Sequence, residues 1–114
     1  MLLITEKIRR LTKTDDFLAV RRMGRSYSDR LLVLLALRNA VHNTRVGLSV
    51  SRRVGNAVQR NRIKRILREV LRDSALIQGW DLVIIARHDA VKVDFIRLNA
   101  SATILLKRAG VLSS

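Results

Sequence analysis

Between Arg52 and Arg72 lie eight Arg or Lys side chains, and Glu69 is the one carboxylate among them. A helix turns by about 100° per residue. If Ala57–Arg72 is helical and buries Ile63, Ile66, Leu67, Val70 and Leu71, its opposite side carries Asn61, Arg62, Lys64, Arg65, Arg68 and Arg72, with Arg60 at the margin. An ordinary solvated helix face mixes signs, because acidic and basic residues four apart stabilise it. This face does not. Arg60 and Arg62 also fall in the first turns, where the helix dipole disfavours cations by a few tenths to about 1 kcal/mol each. Arg52 and Arg53 precede it, and the free N–H groups of a helix start suit an anion. Residues of these types at these spacings bind phosphate, and so many of them predict a polyanionic partner.

Other chemistry is poorly served. His42 and His88 are the only histidines, and the spacing puts them on different connections. Asp89 adjoins His88, but chain neighbours seldom form a general acid–base pair. Asp15 and Asp16 read as the acidic first turn of a helix and not as a metal pair. Cysteine is absent, which excludes disulfides and thiolate metal sites. Gly47 and Gly55 make no phosphate-loop fingerprint. The sequence predicts no nucleophile, base or metal ligand of its own.

The elements that must hold the basic residues follow from pattern. The 114 residues suit one domain, read as 1–114, with 1–10 as a flexible basic N-terminus. The net charge of +14 repels itself in a compact fold, and +7 of it falls within residues 52–72. Thr14 reads as an N-cap and Gly24 as the stop of a helix over 15–23. Leu31–Arg38 reads as a buried strand, with a helix as its rival. Arg45–Ser51 alternates, with Val46, Leu48 and Val50 on one face. Gly55-Asn56 forms a turn with Asn56 as a candidate cap. Leu82–Ala86 is an apolar strand. Asp94 caps a last helix through Ala109 that turns Phe95, Leu98, Ala102, Leu105 and Leu106 inward, with Gly110 as its stop. The order α, β, β, α, β, α predicts an α/β layered fold. The longest apolar run, Leu31–Leu37, is far short of the roughly 20 residues of a membrane span. No signal-peptide pattern opens the chain. A cytoplasmic protein with no membrane partner is the expectation.

Physics narrows the polyanion only partly. A helix-turn-helix reading of duplex DNA needs a second helix close by, and strands flank this one. Single-strand binders interleave aromatics with cations, yet Phe17, Tyr27, Trp80 and Phe95 all lie outside the basic segment. Folded RNA gripped by its backbone fits better than DNA. A non-catalytic RNA-binding protein of the ribosome is the alternative within that class.

The segment Arg45–Arg68, RVGLSVSRRVGNAVQRNRIKRILR, resembles the signature of the bacterial ribonuclease P protein subunit. Arg60-Asn61-Arg62 matches its RNR motif, and Lys64, Arg65 and Arg68 follow at the family spacing. The turn Gly55–Val58 matches as well. Leu11–Gly24, with Asp16-Phe17, resembles the first helix of the family more loosely, and LVIIAR at Leu82–Arg87 its later strand. The resemblance implies an α-β sandwich like ribosomal protein S5 domain 2, in which a left-handed βαβ crossover carries the RNR helix. Spacing alone predicts the usual right hand. It further implies a subunit of a ribonucleoprotein endonuclease that removes 5′ leaders from precursor tRNA, with catalysis by an RNA subunit and its Mg²⁺. Arg52, Arg53, Asn56, Arg60, Asn61, Arg62, Lys64, Arg65 and Arg68 would face that RNA. By position Phe17, and with it Arg21, would line a cleft for the single-stranded leader. The family often has further aromatics where this chain has Arg21 and Leu35.

Overall fold

The computed structural model describes residues 9–113. Its strands are β1 (Arg9–Arg10), β2 (Arg25–Ser28), β3 (Leu32–Arg38), β4 (Arg45–Ser49) and β5 (Trp80–Ala86). Its helices are α1 (Thr14–Met23), α2 (Ala57–Asp73) and α3 (Phe95–Ala109). The strands form one sheet in the order β1-β4-β5-β3-β2. β4 and β5 are adjacent and parallel, so the chain between them, including α2, makes a βαβ crossover. β3 runs antiparallel to β5, and β2 to β3.

Period-two alternation sorts the sheet into two faces. Leu32, Leu34 and Ala36 of β3, Val46 of β4, and Leu82, Ile84 and Ala86 of β5 turn to one side. There they join Ile63, Ile66, Leu67, Val70 and Leu71 of α2 and Leu98, Ala102, Leu105 and Leu106 of α3. The other face is thinner. Val83 packs with Val20 of α1 and Leu11, and Phe17, Leu35, Leu37 and Ile85 close around them. The molecule is a mixed α+β single domain with α2 and α3 on one side of the sheet and α1 on the other.

The helix ends show what the sequence specified. Asn56 accepts from the Gln59 amide while the Gln59 side chain accepts from the Asn56 amide, a reciprocal capping box that fixes where α2 begins. Asp94 caps α3, and Gly110 ends it in the left-handed region at φ 74°. At α1 the cap is Lys13, not Thr14. The Lys13 carbonyl accepts from the amides of Asp16 and Phe17, so Thr14 is already helical and its hydroxyl caps nothing. Gly24 follows α1 in extended geometry because the chain passes straight into β2.

Leu31–Arg38 is a strand from Leu32, as expected, and the helical rival fails. Three expectations change. β2 was not expected: its sequence, RSYS, lies at the sheet edge and lacks apolar alternation. Phe95, the first residue of α3, is 39% exposed and takes no part in the core. Ser101 takes an inward position instead, satisfied by the Asp29 carboxylate. The expected flexible stretch 1–10 falls mostly outside the described residues, but Arg9 and Arg10 are strand, paired in parallel with Arg45 and Val46. β1 ends there. Among the described residues no strand covers the edge of β4 beyond Val46.

Candidate nucleic-acid interface

The turn from β4 into α2 closes through a hydrogen bond from the Val54 amide to the Ser51 carbonyl. Arg52 and Arg53 occupy its two central positions and point outward, while Val54 is buried beneath them. α2 then presents Asn61, Arg65, Arg68 and Arg72 to solvent, because the five aliphatic residues on its other side are committed to the sheet. Arg60 and Lys64 are half-buried at the margins of that band. Arg62 departs from the expected free cation. One of its Nη2 protons goes to the Val93 carbonyl at 2.9 Å, which ties α2 to the segment before α3. The Asn56 side-chain oxygen is engaged in the capping box.

Phe17 stands on the opposite face of the sheet from that band, yet it is not remote from it. Its ring lies on Gly47 so closely that a Cβ there would sit 2.4 Å from the ring Cζ. Only a residue without a side chain admits the ring at this point of β4. Beside the ring, past the end of β1, opens a groove of about 420 Å³. Phe17, Gly47 and Leu48 lie along it with Leu71, and Lys64, Arg68 and Arg72 of α2 and Arg9 and Arg10 of β1 supply its cations. The sequence separates Phe17 from Ala57, the start of the basic helix, by 40 positions; the open edge of β4 brings them into one site. Arg21, one turn along α1 from Phe17, is exposed and does not line this groove.

α1 is fixed to the sheet by charge as well as by packing. Asp81 is 4% exposed, and the Arg45 guanidinium meets it with two bonds of 2.8 and 2.7 Å. Asn39 donates to the same carboxylate at 2.7 Å. The remaining Arg45 Nη1 reaches Asp16 of α1 at 3.1 Å. The bonds to Asp81 hold the Arg45 guanidinium even more firmly protonated than usual. On the far side of the sheet, burial pushes Asp29 up, but bonds from Ser101 and the amides of Leu32 and Leu31, with Arg108 nearby, outweigh it and leave its carboxyl below the ordinary value.

The residues considered for catalysis stay apart. His42 lies in the β3–β4 turn and His88 follows β5, at opposite ends of the sheet. Asp89 pairs with Arg30 at 2.9 Å and Lys92 at 3.3 Å. Among the described residues no three His, Asp or Glu side chains come close enough to hold a metal ion, and no helix is long and apolar enough to cross a membrane.

A five-stranded α+β domain with an RNR helix walling a cationic groove defines a class, and comparison with known proteins agrees with it. The Ribonuclease P family model matches residues 5–110. The chain is 42% identical over 108 residues to the ribonuclease P protein component of Clostridium botulinum, covering 92% of this chain and 97% of that one. It is 44% identical over 104 residues to that of Dehalococcoides mccartyi, covering 91% and 87%. The solved RNase P protein of Staphylococcus aureus superposes with a TM-score of 0.85 at 34% identity, over 94% of this chain and all of that one. The chain belongs to the bacterial ribonuclease P protein family. Its fold is the family fold, and its place is that of a protein component in an endoribonuclease whose partner is an RNA subunit.

Proposed function

We propose that the chain grips the catalytic RNA of ribonuclease P through α2 and the Arg52-Arg53 turn, and receives the single-stranded 5′ leader of precursor tRNA in the groove beside Phe17. It thereby assists the endonucleolytic removal of the leader in the cytoplasm. The observation that carries this reading is the groove, which Phe17 lines together with Lys64, Arg68 and Arg72. A base stacks on such a ring in any sequence, and the cations accept the phosphates on either side of it. Arg52, Arg53, Arg60, Asn61 and Arg65 meet the RNA subunit by charge, each phosphate contact releasing counterions. Arg62 contributes one face of its guanidinium there, the other being held by Val93. Asn56 serves the RNA through its backbone position at the start of α2. Arg21 extends the leader path along α1.

The phosphodiester chemistry belongs to the RNA in this reading, with Mg²⁺ held mainly by the RNA. What the protein supplies is neutralisation and alignment. Two nucleic-acid strands that repel each other are brought together across a surface of net positive charge. Family membership favours this over a ribosomal role.

The test is to capture the full chain from cells and sequence what it holds. One abundant structured RNA with precursor tRNAs is expected; ribosomal RNA alone would sink the proposal. The chain purified free of RNA should leave precursor tRNA intact at high Mg²⁺. Correct 5′ maturation by it would move the chemistry from the RNA to the protein.

A further inference from the structure

Of the three helices, α1 has the least apolar anchorage. Val20 is its only fully buried residue, against five on α2. Phe17 cannot fix the helix by itself, because its ring rests on a glycine at the lip of an open groove. Among the described residues one side-chain tie joins α1 to the strands. The Arg45 guanidinium is immobilised by its two bonds to buried Asp81, itself held by Asn39, and its free Nη1 reaches Asp16. Arg45 is thus a fixed post on β4, and Asp16 is the point at which α1 is moored to it. Asp16 directly precedes Phe17 in the chain, and Arg45 lies two residues before Gly47, on the same face of β4. The ion pair and the ring contact therefore fix the same short piece of α1 over the same strand.

We propose that Asp16 is a positioning residue for leader recognition: its ion pair with Arg45 sets the height of α1 over β4 and so the gap in which a leader base stacks on Phe17. The proposal rests on the reading of the groove as the leader site. Both partners are largely but not wholly buried, at 22% and 28% side-chain exposure, so the pair is shielded enough to be geometrically definite. Removing Asp16 leaves the Arg45–Asp81 pair intact. Removing Arg45 would leave buried Asp81 without its counter-charge, which destabilises the fold for reasons unrelated to the leader. Asp16 is therefore the side of the pair to change.

The experiment uses holoenzyme reconstituted from the full chain and its RNA subunit. Affinity is measured for a precursor tRNA with a long leader and for the mature tRNA, alongside a thermal melt of the protein. The variants are Asp16→Ala, the near-isosteric Asp16→Asn, Phe17→Ala, and Asp16→Ala combined with Phe17→Ala. Both Asp16 variants are expected to weaken precursor binding several-fold relative to mature tRNA, and the double variant to lose no more than Phe17→Ala alone. Additive losses would overturn the proposal, since Asp16 would then act independently of the ring. So would equal weakening of both RNAs with a collapsed melt in both Asp16 variants, which is the signature of a purely structural tie. If Phe17→Ala lowers leader affinity while the Asp16 variants do not, the mooring idea falls and the groove reading stands. If Phe17→Ala is also silent toward the leader, both fall together.

Discussion

The two faces of the sheet carry their helices by different means. On one, α2 and α3 sink five aliphatic residues and four into a continuous core. At roughly 1.5–3 kcal/mol for each side chain taken out of water, α2 alone has an anchorage that its unpaired cations cannot dislodge. On the other, α1 is held by Val20, the close contact of the Phe17 ring tip on Gly47, and one ion pair. Firm anchorage lets a helix carry like charges side by side, as a rigid phosphate-binding face must. Slight anchorage leaves room beside the helix, and that room is the groove. Strength of packing and kind of binding surface are linked here: the thick core displays charge, and the thin one displays a cleft.

Substitutions can break that contrast or sharpen it. The largest effect is expected in the thick core. Leu67 is 0% exposed, and Leu67→Ala should cost about 2–5 kcal/mol, while Val20→Ala on the thin side should cost only about 1.5 kcal/mol for two methylene equivalents. Equal losses by chemical denaturation would erase the distinction between the faces.

Next comes the groove. Phe17→Ala should weaken binding of leader-bearing precursors by up to about 1–3 kcal/mol, one base stack, with little change for mature tRNA. Gly47→Ala should act in the same direction, because its Cβ would displace the ring from a position only 2.4 Å away. Adding Phe17→Ala to Gly47→Ala should then cost nothing more in leader affinity. A further loss would show that the ring does not owe its place to the glycine.

The basic face is dissected by salt. Arg65 is exposed and does not line the groove, whereas Arg68 does. Arg65→Ala should reduce the slope of log affinity against log salt by about 0.7–0.9 for RNA-subunit assembly, leaving the preference for leaders untouched. Arg68→Ala should lower both. Identical behaviour of the two variants would mean that the groove and the helix face are one undivided surface. Arg62 is a poor probe, since its loss also frees the Val93 carbonyl.

The smallest expected effect is at acid pH, on the thick side. The Asp29 carboxyl titrates below its ordinary value of 3.8 in the fold. Its contribution to stability is therefore present above about that pH and is lost as the pH falls through the lower folded value. Asp29→Asn should flatten this acid limb of a stability–pH curve and leave the neutral plateau lower. An unchanged acid limb would show that Asp29 is not held by Ser101 and the turn amides as described.

Much of this was legible in the chain. The stripe from Ile63 to Leu71 identified the buried side of α2 residue for residue, because a long amphipathic helix repeats its signal over several turns. Asn56, Asp94 and Gly110 marked helix ends through their own local chemistry. What stayed hidden was non-local. β1 and β2 take their structure from a neighbouring strand and carry no pattern of their own. The Asp16–Arg45–Asp81 tie joins three elements whose residues have nothing in common along the sequence. The groove is the clearest case. Phe17 reads as an isolated aromatic until the early end of β1 exposes the ground between it and α2.

That early end has a second consequence, for the behaviour of the chain when no RNA is present. Beyond Val46, no strand among the described residues pairs with the outer edge of β4, and an unpaired strand edge invites the edge of another molecule to pair with it. Here the approach is guarded by Arg9, Arg10, Lys64, Arg68 and Arg72, so a second copy arriving at that edge meets like charge before it can register its strand. The same cations proposed to greet phosphates thus act as colloidal protection for the free subunit, and concentrated salt, which shortens their reach, strips it away.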